Sequence, residues 1–220
     1  MNVAVIPALN EATRIGAVVR GAMPHVDRVV VVDDGSKDGT GDIAREAGAF
    51  VVRHPENCGA GAATMTGIEA ARRMGATAIV TLDADEQHDP TEIPALLAAL
   101  GTDVDVVFAN RFGQKNKIPF VRRVFNALGN LVTLAATGMW VSDSQCGFKA
   151  FGHRAVGEIQ LRMSGFEFCT EIVRECVRRK WKHAQVPVKV IYSKYTLAKG
   201  QSFANGVKTA LKILLRSFLR

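Results

Sequence analysis

The sequence predicts an α/β fold, a mostly parallel sheet with helices packed on its faces. Two observations predict it. Short β-branched runs alternate with longer helical stretches through the first half of the chain, and Gly, Pro, Asp or Thr opens or closes the helical ones. No internal repeat and no low-complexity linker interrupts the 220 residues, which suffice to bury one full core.

The elements follow in order. Val3–Ile6 is the first strand candidate, reached within two residues of Met1, and nothing there resembles a signal peptide. A helix is expected near residues 11–22. Val29–Val32 is the second strand, followed by a helix near 40–48. Phe50–Val52 is the third, followed by a helix near 60–74. Ala78–Leu82 and Val104–Phe108 are the fourth and fifth, with a helix near 91–100 between them. This βαβα alternation is the pattern that parallel strands require, because each crossover needs a helix.

Beyond the fifth strand the pattern changes. From Val124 to Ser142 nineteen residues carry no charge, close to the length of a membrane span. Asn126, Asn130, Thr133 and Thr137 nevertheless recur at helical spacing and draw one polar stripe on an apolar helix. That stripe argues for an interfacial helix, or one half buried in the protein. At the C-terminus Lys208, Lys212, Arg216 and Arg220 recur every four residues, with Phe203, Val207, Leu211, Leu214 and Phe218 opposite. Such a helix is expected to lie on an anionic membrane surface; the alternative is a terminal helix docked on the core with a solvated basic face.

Charge supports this division. The formal net charge is +7, yet Val177 to Arg220 contains no Asp or Glu. Of 28 Lys and Arg, eleven fall in that stretch, so the rest of the chain carries 17 against 21 acidic residues. We therefore expect one catalytic domain over 1–202 that ends in a basic amphipathic interface helix over 203–220. No aromatic-rich motif points to nucleic acid. The four cysteines, Cys58, Cys146, Cys169 and Cys176, form no CxxC pair and no secreted-type framework, which fits a reducing cytoplasmic compartment.

The chemistry lies at two acidic strand ends. The second strand runs into Asp33-Asp34-Gly35-Ser36, and the fourth into Asp83-Ala84-Asp85-Glu86-Gln87-His88. In an open α/β sheet ligands bind at the carboxyl edge. Two acidic ends there suit a hard divalent cation, Mg²⁺ or Mn²⁺, that holds a diphosphate. Asp33 or Asp34 could accept from a base or ribose, or simply cap the turn through Gly35 and Ser36. His88 is better suited to orienting a neighbour than to ligating a hard cation.

The segments VAVIPALNEA (3–12), VVVVDDGSKDGT (29–40), NCGAGAA (57–63), VTLDADEQHDPTEIP (80–94), ANRF (109–112) and VSDSQCGFKAF (141–151), in this order, resemble the family 2 glycosyltransferases. More narrowly they are similar to polyprenyl-phosphate hexosyltransferases of the dolichyl-phosphate mannose synthase type. The likeness extends over roughly residues 3–202. It implies a Rossmann-like sheet of GT-A type. It also implies a nucleotide-sugar site formed by Pro7, Ala8, Asn10, Glu11, Asp33, Asp34, Asn57, Gly59, Asp83, Ala84 and Gln145. The metal set would be Asp83, Asp85 and Gln87. Asp85, Arg111 and Asp143 would carry catalysis, and Arg111, Arg122, Arg123 and Lys199 would hold an acceptor phosphate, with Lys117 in the same basic set. A solvated basic face is the alternative for those cations, and a turn or helix cap for Asp143.

Three positions depart from that pattern. Glu86 stands where relatives carry an apolar or small residue, Ala127 where many have a base, and Cys169 where Asp is frequent. The implied reaction is metal-dependent, inverting transfer of a hexose from GDP-mannose or UDP-glucose to a polyprenyl or dolichyl phosphate, by an enzyme held peripherally on the cytosolic membrane face. A phosphate monoester has its second pKa near about 6 and needs no strong base, so Asp143 is expected to position rather than deprotonate. Two other readings are a transferase for a soluble glycan or alcohol and a non-catalytic, nucleotide-binding membrane partner.

Overall fold

The computed structural model describes residues 1–191 apart from 117. Lys117, Lys199 and the expected helix over 203–220 therefore lie outside the described residues.

The predicted elements are present, with shifted ends. The strands are β1 (Asn2–Ala8), β2 (Arg28–Asp33), β3 (Phe50–Arg53), β4 (Ala78–Thr81) and β5 (Val106–Asn110), with the helices α1 (Ile15–Ala22), α2 (Thr40–Glu46), α3 (Ala60–Arg73) and α4 (Ile93–Leu100) between them. The fourth helix begins later than expected because Pro90–Glu92 forms a 3₁₀ turn first. Asp89 caps that turn by accepting from Thr91 N at 3.0 Å.

The second half adds α5 (Phe120–Thr137), β6 (Lys149–Phe151), α6 (His153–Glu158), α7 (Phe168–Arg179) and β7 (His183–Pro187). The strands form one sheet in the order β3-β2-β1-β4-β6-β5-β7. β1 runs parallel to β2 and β4, β2 to β3, and β5 to β7; β6 alone is antiparallel, between β4 and β5. The sheet is thus mostly parallel, as predicted. The topology brings the ends of β1, β2, β4 and β5 and the start of β6 to one edge.

Alternation along the strands feeds two cores. In β1, Ala4, Ile6 and Ala8 face the core that holds α1 and α4, while Val3 and Val5 face the core beneath α3, α6 and α7. α3 lies close on the sheet through Gly67, where an added Cβ would sit 2.3 Å from Val5 Cγ1.

α5 is amphipathic in an inverted sense. Its buried residues are polar, Asn130 and Thr133, whereas Phe120 is 79% exposed and Leu131 58%, with Val121, Val124, Phe125 and Leu128 also exposed. The polar stripe read from the sequence therefore faces the protein. Among the described residues no helix is long and apolar enough to cross a membrane.

The close approach of α3 to β1 generates a prediction. Gly67→Ala should destabilise the protein by about 1–3 kcal/mol through overpacking. In a chain of this size that corresponds to a loss of melting temperature of about 2–4 °C per kcal/mol, measurable by thermal unfolding.

Candidate active site

The sheet edge is built from interlocked loops. After β1, Asn10 adopts a left-handed conformation (φ 53°). There its N–H donates to Ser36 Oγ at 2.9 Å and its Oδ1 accepts from Lys37 N at 2.9 Å. Glu11 is buried and its N–H donates to Thr40 Oγ1 at 2.8 Å. Pro7 and Ala8 end β1 directly beside Val32 and Asp33 of β2.

The two acids at the end of β2 are largely spent on shaping the edge. Asp33 Oδ1 accepts from Ser36 N at 2.9 Å, which is the turn-capping alternative. Asp34 accepts from Cys58 N and Gly59 N, each at 2.9 Å, and from His54 Nδ1 at 2.7 Å. Asn57 Oδ1 shares the Gly59 N–H at 2.9 Å. Asp34 therefore anchors the glycine loop that opens α3. Asp34, His54 and Cys58 also form the one group of three His, Cys or acidic side chains among the described residues whose ligand atoms lie within 4.8 Å of one another. His54 Nε2 lies 3.0 Å from Thr66 Oγ1, so both ring nitrogens already have partners and the cluster is complete without an ion.

At the end of β4 the geometry changes character. Glu86 is left-handed (φ 64°), a conformation that costs a non-glycine residue about 1–3 kcal/mol and marks functional turns. The turn lets Asp85 Oδ1 accept from Gln87 N at 3.0 Å and sets Asp83, Asp85 and Gln87 on one short loop. Burial, and after it the negative charge of Asp83, push the Asp85 carboxyl above the usual carboxylate range; Glu11 acts in the same direction. The Gln87 side chain is buried and has no hydrogen-bond partner among the described residues. Two carboxylates that repel one another beside an orphaned amide fit a hard divalent cation. Asp83, Asp85 and Gln87 are the residues that would hold it.

His88 supports this loop from beneath. It is buried, stacks on Phe148 with centroids 5.1 Å apart, and places Nε2 3.6 Å from Cys146 Sγ. Its Nδ1 accepts from Asp83 N at 3.2 Å, which requires a lone pair there and hence a neutral ring. Burial, the largest single influence, favours the same neutral form, but Asp83, Cys146 and Asp85 together outweigh it and draw the imidazole up to about 9. The hydrogen bond from Asp83 N requires the neutral ring, and that is the form we assign. His88 thus orients the acidic loop, as its chemistry suggested.

On the other side of the edge, Arg111 and Asp143 form a closed pair. Arg111 is 7% exposed and Asp143 1%. Arg111 Nε donates to Asp143 Oδ2 at 2.7 Å, Nη2 to Oδ1 at 2.8 Å, and the backbone N–H to Oδ2 at 3.0 Å. The sequence suggested no such partnership, since it gave Arg111 to an acceptor phosphate. Gln145, half-buried, joins the α5–α7 network: its Nε2 donates to Ser144 Oγ at 3.1 Å, Thr133 Oγ1 at 3.2 Å and Thr170 Oγ1 at 3.4 Å. Ala84 is buried in the core. Arg122, half-buried, and Arg123, exposed, stand on the first turn of α5.

Lys149 was missed by sequence reasoning. It is fully buried at the start of β6, where its ammonium donates to Cys146 O and lies 3.6 Å from Cys169 Sγ. The Cys169 thiol, pushed up by burial, stands beside that cation. A lysine inside the run Phe148–Phe151 was the available signal, because an ion placed in an apolar strand needs a reason.

Comparison with known proteins places the family and the fold. The sequence model of glycosyl transferase family 2 matches residues 3–159. The UDP-N-acetylglucosamine–dolichyl-phosphate N-acetylglucosaminyltransferase of Methanococcus voltae is 32% identical, over 96% of this chain and 94% of its own. The polyprenol monophosphomannose synthase of Mycolicibacterium smegmatis is 28% identical, over 84% and 75%. The fold resembles that of glucosyl-3-phosphoglycerate synthase from Mycobacterium tuberculosis, crystallised with Mn²⁺, UDP-glucose and phosphoglyceric acid. That match has a TM-score of 0.77 at 20% identity and covers 100% of this chain and 78% of that one.

The buried pair makes a sharp prediction. Arg111→Ala leaves Asp143 buried and uncompensated and should cost about 3–5 kcal/mol of stability. The double replacement Arg111→Met with Asp143→Leu should recover much of that stability while remaining inactive. Denaturant unfolding of the two variants checks both halves.

Proposed function

The chain belongs to glycosyl transferase family 2, and on that premise we propose that it moves a hexose-type sugar, with inversion, from a nucleotide sugar to a polyprenyl phosphate at a membrane surface. The observation that carries this reading is the closed Arg111–Asp143 pair. A transferase acting on an alcohol needs a carboxylate to take the proton. Both oxygens of Asp143 instead face Arg111. A phosphate acceptor is already largely dianionic at neutral pH and dispenses with the base.

In the proposed reaction a phosphate oxygen attacks the anomeric carbon while the bond from that carbon to the diphosphate oxygen breaks. The electron pair of that bond leaves with the nucleoside diphosphate, and the single displacement inverts the centre. Asp83, Asp85 and Gln87 would hold Mg²⁺ or Mn²⁺, whose chemistry is to offset charge on the departing diphosphate. His88 keeps their loop in shape through the Asp83 N–H. Asp34 fixes the glycine loop, whose backbone would approach the nucleotide. Arg122 and Arg123 at the opening turn of α5, with Lys199, would attract the acceptor phosphate, and Arg111 would do so while held in orientation by Asp143.

The inverted face of α5 supports the lipid acceptor. Phe120, Val121, Val124, Phe125, Leu128 and Leu131 present a row of apolar side chains to the outside, and Arg123 is exposed beside them. Exposed apolar rows of this size mark interaction surfaces. Peripheral attachment to the cytosolic face is the corresponding location, and four free cysteines suit a reducing compartment. The donor is GDP-mannose or UDP-glucose on the first reading. The name of the Methanococcus relative adds UDP-N-acetylglucosamine to the candidates.

Labelled-sugar transfer from each of the three donors, with and without a short polyprenyl phosphate in Mg²⁺ or Mn²⁺, tests the proposal. Lipid-dependent product from one donor is expected, and Asp85→Asn should lower its rate by about 100-fold or more. Product formed only on a soluble acceptor would overturn the acceptor assignment.

A second measurement addresses the surface. Leu128→Glu with Leu131→Glu should reduce binding to vesicles containing anionic lipid by about tenfold or more. Turnover of a detergent-dispersed short acceptor should stay near wild type. Unchanged vesicle binding would remove α5 from the membrane contact.

A further inference from the structure

Two glutamates stand one helical turn apart at the start of α7, and their environments differ. Glu171 is buried and satisfied: its Oε1 and Oε2 accept from Arg162 N at 3.0 Å each, and Oε2 accepts from Met163 N at 2.9 Å. Those bonds fix the segment that leads into the helix. Glu167, the residue at the N-cap, is only 4% exposed. Its carboxylate has no hydrogen bond or ion pair with any other side chain or backbone group among the described residues. A buried carboxylate without a partner is costly, and native structures retain one where a ligand supplies the missing donors.

Its surroundings say which ligand. The carboxylate folds back over Gly165, where an added Cβ would lie 2.4 Å from Glu167 Oε2. The same segment is pressed onto the glycine loop that opens α3. Gly61 N donates to Ser164 O at 2.7 Å, and a Cβ on Gly61 would meet Met163 O at 2.0 Å and Gly165 O at 3.1 Å. On its other flank the first turn of α7 touches the 143–147 loop, through Thr170 Oγ1 with Gln145 Nε2 at 3.4 Å and Cys169 Sγ with Gln145 O at 4.0 Å. Asp83 lies against that loop, since a Cβ on Gly147 would stand 2.3 Å from Asp83 Oδ1. Glu167 therefore sits between the loop held by Asp34 and the loop that backs the metal acids. With a diphosphate at Asp83 and Asp85, the sugar of a nucleotide sugar would extend toward this junction of the two loops.

We propose that Glu167 is a sugar-specificity residue that accepts hydrogen bonds from hydroxyl or amide N–H groups of the donor sugar. The inference rests on the reading of this edge as a nucleotide-sugar site, and not on the identity of the acceptor. An ionised carboxylate accepts only, so it selects sugars that offer donors at the matching ring positions. The N-termini of α3 and α7 favour negative charge at this place. Glu171 keeps the supporting segment rigid and holds Glu167 in register with the ligand.

The test compares wild type, Glu167→Gln and Glu167→Ala by calorimetry with Mn²⁺ present. Each protein is titrated with UDP and GDP, and then with UDP-glucose, UDP-N-acetylglucosamine and GDP-mannose. Affinity for the nucleoside diphosphate should stay within about twofold, while affinity for the preferred nucleotide sugar should fall about tenfold to hundredfold in Glu167→Ala and less in Glu167→Gln. Deoxy analogues of the preferred sugar should bind wild type weakly at one ring position and lose that penalty in Glu167→Ala. Equal losses for diphosphate and nucleotide sugar would assign Glu167 a structural role and overturn the proposal; no loss for either would overturn it as well. Should the alanine protein fail to fold, the glutamine protein carries the same comparison. Nucleotide-sugar binding without transfer to polyprenyl phosphate would refute the acceptor reading and leave this one standing, so the two failures are distinguishable.

Discussion

The edge of the sheet depends on the buried ion pair of Arg111 and Asp143. It ties the end of β5 to the loop before β6, two segments more than thirty residues apart, through three hydrogen bonds. Burying a charge pair gives little net stability by itself, because desolvation offsets most of the attraction. What it does fix is geometry. With Asp143 held, the loop continues to Gly147, which lies against Asp83, and to Phe148, on which His88 stacks. Lys149 then fastens the same loop from below through Cys146 O. The acids that would hold a cation and Arg111 belong to one connected polar body.

α5 completes that body from the outside. In a soluble helix the apolar side turns in and the polar side out. Here Asn130 donates to Ser142 O at 2.6 Å and accepts from Ser144 N at 3.0 Å, while Thr133 pairs with Thr170 at 2.9 Å. These bonds commit the polar stripe to the 142–145 loop and to α7, which leaves the phenylalanines and leucines facing outward. The orientation is thus imposed from within. Rotating the helix to hide its apolar row would strand several buried polar groups, at a cost of about 1–3 kcal/mol each.

The first half of the fold was legible because its signals are local. Runs such as Val29–Val32 and Ala78–Leu82 announce buried parallel strands, and the acids that follow them announce the edge. The second half was not, for reasons equally physical. β6 has three residues, one of them a lysine, and its pairing with β4 and β5 is set by distant contacts that periodicity cannot register. β7 reads His-Ala-Gln-Val-Pro, with no apolar run at all. At the site, residue types were legible and partnerships were not. Asp83 and Asp85 were singled out by their place at a strand end, and Gln87 by the family resemblance. That Arg111 would close on Asp143, that Asp34 would serve the glycine loop, and that Gln145 would face α5 are facts of side-chain direction.

One consequence concerns how such a site discriminates. An enzyme that needs a base must expose a carboxylate to the acceptor, and that carboxylate then competes for any proton within reach. On the proposed reading the carboxylates beside the reacting centre are each committed. Asp83 and Asp85 would face a cation, Asp143 faces Arg111, Glu171 faces backbone amides, and Glu167 would be left for the sugar. An alcohol entering such a site would find Asp143 already committed to Arg111, whereas a phosphate arrives as a nucleophile already ionised. Acceptor selectivity then follows less from a fitted pocket than from the withdrawal of Asp143 into its pair with Arg111, with the apolar face of α5 adding the demand that the phosphate be carried on lipid.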